Sequence, residues 1–132
     1  MRKRIAVLAA LVLAVVCNLS VSFAIYEHQE TASLLGKTIV VRNWIADDKM
    51  SAGASTNGGA DVYCTVSATY YWNNPYTHEQ GNFSNGSSYM TGASVGSGTM
   101  TGNKRIYNVT SDHYASYGGS SVSYDDLVTV AD

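Results

Sequence analysis

The sequence predicts an all-β protein, either an antiparallel β-sandwich or a small barrel, and three observations carry this prediction. Ten tyrosines occur among many valines, serines, threonines and glycines, whereas leucine is nearly absent after residue 24. These residues favour strands and turns over helices. Short alternating segments recur between turn signals, which is typical of sandwiches and small barrels. Because strand-like and helix-like segments do not alternate, a parallel sheet is excluded.

The first 24 residues have the pattern of a secretory signal peptide. Residues 2–4 are basic, Ile5 to Val16 is an uninterrupted apolar run, and Ser22 to Ala24 offers small residues for cleavage after Ala24. A membrane anchor is the first alternative, but a spanning helix needs about 20 apolar residues and this run is shorter. Lipid attachment at Cys17 is the second, but a bulky valine precedes that cysteine. We therefore expect an exported protein that is not held in the membrane after cleavage.

The remaining residues, 25–132, fit one acidic domain. They contain five basic and ten acidic residues, a net charge of −5 with the histidines neutral. The basic residues are scattered, so the sequence excludes a nucleic-acid partner, which would require a basic face. Charged residues make up 14% of the chain, below the usual value of about 25%. Such a surface suits a protein that contacts other surfaces, and weakly charged sheet edges could also pair between molecules.

The first part of this domain gives weaker signals than its centre. Residues 25–37 carry their acidic residues early and end near Gly36, which predicts a short helix or a loose amino-terminal arm before a sandwich domain at 38–132. Thr38 to Ala46 predicts a first strand with Ile39, Val41 and Ile45 on one side. Ser51 to Ala60 predicts a glycine-rich loop with a tight turn at Asn57-Gly58.

The stretch from Ala60 to Trp72, ADVYCTVSATYYW, is the most regular strand in the sequence. We assign one alternating set to the core and the other to the outer face. The inward set is Val62, Cys64, Val66, Ala68, Tyr70 and Trp72; the outward set is Tyr63, Thr65, Ser67, Thr69 and Tyr71.

The outward tyrosines allow two interpretations. They are good cross-strand partners on any solvated sheet. They also offer apolar area and a hydroxyl at a small entropic cost, which suits a contact platform for a protein or a cell-wall glycan. The candidate ligand-binding residues are Tyr63, Tyr71, Trp44 and Tyr76.

The second half predicts a series of short strands separated by glycine, asparagine and aspartate turns. These strands are 87–95, 99–101, 105–111, 113–117, 121–124 and 127–130. Asp125-Asp126 is interpreted as the turn between the last two.

Cys64 is the only cysteine outside the predicted signal peptide, so the sequence predicts no intramolecular disulfide. We expect its side chain to be buried on the inner face, as unpaired cysteines often are. An intermolecular disulfide or a reactive thiol remains the alternative.

No catalytic or metal-binding constellation is recognisable. Ser111, Asp112 and His113 are consecutive, and consecutive strand residues point to opposite faces, so they cannot form a triad with one another. We interpret this segment as a turn. His28 and His78 are too far from His113 in the sequence to suggest a zinc spacing. The sequence therefore predicts no enzyme activity, no metal and no cofactor.

Two segments resemble known groups of proteins. HYASYGGSSVSYDD, residues 113–126, resembles small exported proteins of Gram-positive bacteria to which no activity is assigned. SATYYWNN, residues 67–74, is similar to the Tyr-Tyr-containing aromatic segment of lactococcin-type bacteriocins. That second resemblance implies an antibacterial activity, although here the segment lies mid-chain and the family's basic character is missing.

Together these observations predict a secreted, non-enzymatic β-domain that acts through its surface. A bacteriocin-like antibacterial protein and a carbohydrate- or cell-wall-binding module are the alternative functions.

Overall fold

The protein is an antiparallel β-sandwich. The computed structural model describes residues 25–132, which form eight strands in two four-stranded sheets. This confirms the predicted all-β fold and its sandwich form. The predicted signal peptide lies outside the described residues. Within residues 25–132, no helix has the length and apolar character needed to cross a membrane.

The order of the strands in the two sheets differs from their order along the chain. Sheet 1 has the order β1-β2-β3-β6 and sheet 2 the order β5-β4-β7-β8, and every pairing is antiparallel. The bounds are β1 Ile25–Leu34, β2 Lys37–Ala46, β3 Ala52–Asn57, β4 Tyr63–Asn73, β5 Gln80–Met90, β6 Gly92–Gly96, β7 Arg105–Tyr117 and β8 Ser120–Val130.

The core lies between the two sheets and follows the predicted alternation of β2 and β4. Ile39, Val41 and Ile45 on β2 are buried, as expected. The predicted inward residues of β4, together with Val62 just before it, are buried as far as Tyr70, and Trp72 packs partly buried against the core. Removal of this apolar surface from water is the main stabilising contribution to the sandwich.

The prediction of a helix or loose arm at residues 25–37 is wrong. Residues Ile25–Leu34 form β1, which pairs with β2 over ten residues from Ile25↔Ala46 to Leu34↔Lys37. A two-residue turn at Leu35-Gly36, with both residues at positive φ, joins the strands. Backbone pairing with β2 therefore outweighs the weak local helix signal. The sandwich includes residues from at least 25, not only from 38.

The predicted loop at Ser51 to Ala60 is mostly strand. Ala52–Asn57 forms β3 between β2 and β6, and its small residues have a packing reason. The Trp44 indole lies across Gly53, where an added Cβ would come 2.7 Å from Trp44 Nε1. The positive φ angles fall at Gly59 and Asp61 instead of Asn57-Gly58.

Strand boundaries in the second half also differ from prediction. The predicted strand at 87–95 is divided at Thr91, whose positive φ marks the passage of the chain from sheet 2 to sheet 1. Residues 80–86 extend β5, and residues 99–101 are not a strand. The structure joins the predicted strands 105–111 and 113–117 into one continuous strand, β7. It likewise joins the predicted strands 121–124 and 127–130 into β8.

The buried position of Cys64 yields the first testable prediction. The side chain is fully buried and unpaired, its Sγ lies 3.7 Å from the carbonyl oxygen of Val62, and burial raises the pKa of the thiol. Burial keeps reagents away from the thiol, and the raised pKa keeps it protonated, so both suppress thiolate chemistry. We expect a thiol reagent to label the native protein negligibly and the denatured protein stoichiometrically. Rapid native labelling, or a dimer band on a non-reducing gel, would show that the inward register of β4 is wrong.

Candidate binding face and the polar network beneath it

The four predicted ligand-binding residues do not form one site. Trp44 is on the outer face of sheet 1, and Tyr76 is 78% exposed in the connection between β4 and β5. Tyr63 and Tyr71 both lie on the outer face of sheet 2, as predicted, but eight residues along one strand separate them by about 27 Å. Tyr71 is half-buried beside Tyr107, with ring centroids 6.5 Å apart. Only Tyr63 is both exposed and close to other candidate groups.

The residue that the sequence interpretation missed is Tyr114, the diagonal cross-strand neighbour of Tyr63. Tyr63 is opposite Ser116, and Thr65 is opposite Tyr114. Such diagonal neighbours are about 7–8 Å apart, within reach of aromatic side chains. The two tyrosines are about equally exposed, 40% and 39%. The alternation of β7, buried at 109, 111, 113 and 115, was the signal that could have placed Tyr114 on this face.

Two shallow grooves flank the tyrosine pair, and Tyr114 lines both of them. The first is about 550 Å³ in volume and crosses all four strands of sheet 2. Gly86, with no side chain, forms part of its floor. The side chains around it are mostly hydroxyls and carboxylates: Thr65, Ser67, Ser88, Asp112, Ser123 and Asp125. The second, about 370 Å³, is lined by Tyr63, Tyr117, Asp61, serines and the Gly118-Gly119 turn.

Both grooves are acidic. Asp112 and Asp125 line the first and Asp61 the second, and neither groove has a lysine, arginine or exposed histidine among its described lining residues. The arrangement therefore disfavours phosphate-rich or carboxylate-rich ligands. It offers hydrogen-bond acceptors and hydroxyls beside an aromatic ridge.

A β-bulge in β8 positions the two carboxylates of the first groove. Asp112 of β7 faces two residues of β8, Asp125 and Asp126, between the pairs Ser111↔Leu127 and His113↔Tyr124. The Asp126 backbone N–H donates a hydrogen bond to Asp112 Oδ1, 3.1 Å away, and Asp126 has a positive φ. Asp125-Asp126 is therefore a bulge inside one strand and not the predicted turn. Bulges of this kind re-aim side chains locally.

Directly beneath this groove, four buried polar side chains link the two sheets. Asn43 of β2 and Thr56 of β3 belong to sheet 1, and Ser111 and His113 of β7 belong to sheet 2. Ser111 Oγ lies 2.6 Å from His113 Nε2 and donates to Asn43 Oδ1, and Thr56 Oγ1 lies 2.8 Å from His113 Nδ1. The segment predicted as a turn thus lies in the middle of a strand. Asp112 points to the opposite face, as alternation requires, so the three residues form no triad.

The hydrogen bonds assign the tautomer of His113. Asn43 Nδ2 donates to the carbonyl oxygen of Leu127, which fixes the amide with Oδ1 as the acceptor of the Ser111 hydroxyl proton. Ser111 Oγ must then accept from His113 Nε2–H, leaving Nδ1 as an acceptor. The other tautomer would leave the fully buried Asn43 Oδ1 without a strong donor, at a cost of about 1–3 kcal/mol.

With neutral His113, the Thr56 hydroxyl has one proton and two acceptors. Thr56 Oγ1 is 2.8 Å from the carbonyl oxygen of Thr65 and equally close to His113 Nδ1. Thr65 lies in a strand that is paired on both sides, so the Thr56 hydroxyl is a donor to the second lone pair of its carbonyl oxygen. This carbonyl therefore loses less than His113 Nδ1 would when the Thr56 hydroxyl donates to the other acceptor. Of the two neutral tautomers, the one protonated at Nε2 therefore satisfies the network better.

Burial lowers the pKa of His113 to about 4, although the Asp112 carboxylate and the backbone carbonyl of Ser55 oppose the shift. The ring is 2% exposed and Ser111 3%. A Ser–His contact closed to solvent in this way cannot meet a substrate. The contact lies within β7, and the links between the two sheets are the hydrogen bonds of Ser111 with Asn43 and of His113 with Thr56.

Among residues 25–132, no group of three or more His, Cys, Asp or Glu side chains is arranged to hold a metal ion. No family model matches the chain, and neither a curated protein nor a solved structure shows significant similarity to it.

The depressed pKa of His113 predicts how stability depends on pH. The unfolded chain binds a proton at the ordinary histidine pKa of 6.5, and the folded chain only near pH 4. The free energy of unfolding should therefore fall by about 3 kcal/mol as pH drops from 6.5 to 4, and the contribution of His113 should level off about one pH unit below that. Urea denaturation at several pH values measures this effect.

Two variants separate His113 from the other titrating groups. His113→Gln should remove most of the pH dependence between 6.5 and 4, in addition to destabilising the protein. His78→Asn, at an exposed turn position of positive φ, should retain the slope of the natural protein. If His113→Gln also retained that slope, the assignment to His113 would be incorrect.

Proposed function

We propose that this protein is a secreted, non-enzymatic binding domain that recognises a neutral, hydroxyl-rich glycan through the outer face of sheet 2. The observation that carries the proposal is the exposed pair Tyr63 and Tyr114 between two grooves lined by hydroxyls and carboxylates. We call this surface the tyrosine face; it consists of the pair and the lining of both grooves.

The chemistry of the tyrosine face suits a sugar. An aromatic ring presents an apolar face against which the C–H side of a pyranose can lie, and the phenol hydroxyl stays available to hydrogen bonding. The carboxylates of Asp112 and Asp125 accept hydrogen bonds from vicinal hydroxyls. A groove that crosses four strands offers room for several sugar units of one chain.

Two further observations support binding without catalysis outside the cell. The one Ser–His contact in the described part of the chain is sealed in the core, and Asp112 points away from it. The amino-terminal sequence has the basic start, apolar run and small-residue ending of an export signal. A surface with few charges and many hydroxyls is consistent with binding at a cell wall.

The binding prediction is tested by isothermal titration with soluble peptidoglycan fragments and neutral plant and bacterial polysaccharides. We expect at least one neutral glycan to bind, with an affinity that changes little with salt because no ion pair is formed. Tyr114→Ala should weaken that binding about tenfold, since Tyr114 lines both grooves.

Tyr76→Ala is the matched control, because Tyr76 is more exposed than Tyr114 but lies off the tyrosine face. It should bind as the natural protein does. Equal affinities for Tyr114→Ala and the natural protein would remove the tyrosine face from the proposal. Binding only to cationic ligands, with strong salt dependence, would replace a glycan by a basic partner.

A further inference from the structure

The two sheets together have four edge strands, and three of them carry features that discourage pairing with another chain. β1 contains Glu27, His28 and Glu30, all exposed. β6 has only five residues. β8 contains Asp125 and Asp126 and is interrupted by the bulge. Charge, shortness and bulges are the usual means of protecting a sheet edge.

β5 is the exception. It has eleven residues, Gln80–Met90, with no charged residue and no proline, and it pairs without a register shift along its full length with β4 only. Within residues 25–132 no strand pairs with its other edge, which presents backbone N–H and C=O groups at alternate residues. No backbone hydrogen bond of the described chain outside the β4 pairing involves residues 81–90.

The middle of β5 is held in place by side-chain hydrogen bonds. Asn85 Oδ1 accepts from the hydroxyl of Tyr70, 3.0 Å away, and Asn85 Nδ2 donates to the carbonyl oxygen of Gly96, 2.8 Å away. On the outer face, Ser84 Oγ lies 2.8 Å from Thr69 Oγ1. The edge is therefore already ordered before any partner arrives, which lowers the entropic cost of pairing.

We propose that β5 is a homodimerisation edge, at which two copies of the chain pair antiparallel about a two-fold axis near Asn85. This inference goes beyond glycan binding and does not depend on it. The axis places Asn82 opposite the partner's Ser88 and Ser84 opposite the partner's Gly86, so that all eleven residues pair and no charges meet. The same operation on β1 or β8 would bring acidic residues together in a domain, residues 25–132, whose net charge is −5.

The charge pattern favours a second copy over a foreign strand. Two copies of an acidic chain can pair at a long neutral edge without charge repulsion. A basic peptide would pair more favourably with the acidic β8 edge. Pairing would join two copies of sheet 2 into one eight-stranded sheet. The first groove reaches β5 at Gly86 and Ser88, so the two tyrosine faces would become continuous across the dimer.

The test is sedimentation velocity of the exported protein over a range of concentrations, with hydrogen exchange at the same concentrations. We expect a monomer–dimer equilibrium, and slower exchange of β5 amides when the dimer is populated. A monomer at every concentration, or protection confined to another edge, would overturn the proposal. Neither result depends on whether a glycan binds.

Two double variants at the same positions test the register. Asn82→Lys with Ser88→Lys places like charges directly opposite each other twice and should raise the dissociation constant about tenfold or more. Asn82→Lys with Ser88→Glu places opposite charges there and should restore dimerisation. Val128→Lys with Val130→Lys, on exposed residues of the β8 edge, should have no effect. A dimer that is lost only in the β8 variant, or is equally stable in both β5 variants, would contradict β5 pairing.

Discussion

The hydrogen-bonded set of Asn43, Thr56, Ser111 and His113 is the interaction on which the rest of the structure depends. Four polar side chains between two sheets are costly to bury unless each finds a partner, and here each does. A shift of β7 by one residue would turn Ser111 and His113 away from Asn43 and Thr56 and leave those buried groups unpaired. The register that points Ser111 and His113 inward is the one that points Asp112 and Tyr114 outward.

The bulge and the network act together on the outer face of sheet 2. Between Tyr124 and Leu127, the extra residue on β8 keeps both of these side chains inward while Asp125 faces the groove. Gly86, at the groove floor, leaves space that a larger residue would fill. The result is a surface in which aromatic, hydroxyl and carboxylate groups lie side by side on a rigid sheet, while the neutral β5 edge lies at one border of it.

The sequence was sufficient for the strands with strict alternation and insufficient where pairing decides the structure. The inward and outward residues of β4 and β2 follow directly from their period of two. β1 and β3 could not be recognised from the sequence, because both form strands only through backbone pairing with β2. β1 carries the polar residues Glu27, Gln29 and Glu30, and β3 consists of the small residues of Ala52–Asn57. Tyr114 was not among the predicted site residues because a turn interpreted at Ser111-Asp112-His113 divided β7 into two short strands and interrupted its alternation. No local signal shows that Trp44, Tyr71 and Tyr76 lie on separate surfaces, since that depends on which strands are neighbours.

The most direct test of this account is the nuclear magnetic resonance titration of His113 in protein with ¹⁵N-labelled histidine. Burial keeps the ring neutral at pH 7, with a pKa of about 4, and the hydrogen bonds of the network favour the proton at Nε2. Such a spectrum would show that His113 points into the core, which by the alternation of β7 places Asp112 and Tyr114 on the outer face. A ring protonated at Nδ1 would contradict the assigned hydrogen-bond directions. A ring that titrates near the ordinary histidine pKa of 6.5 in the folded protein would contradict its burial, and with it the β7 register and the tyrosine face.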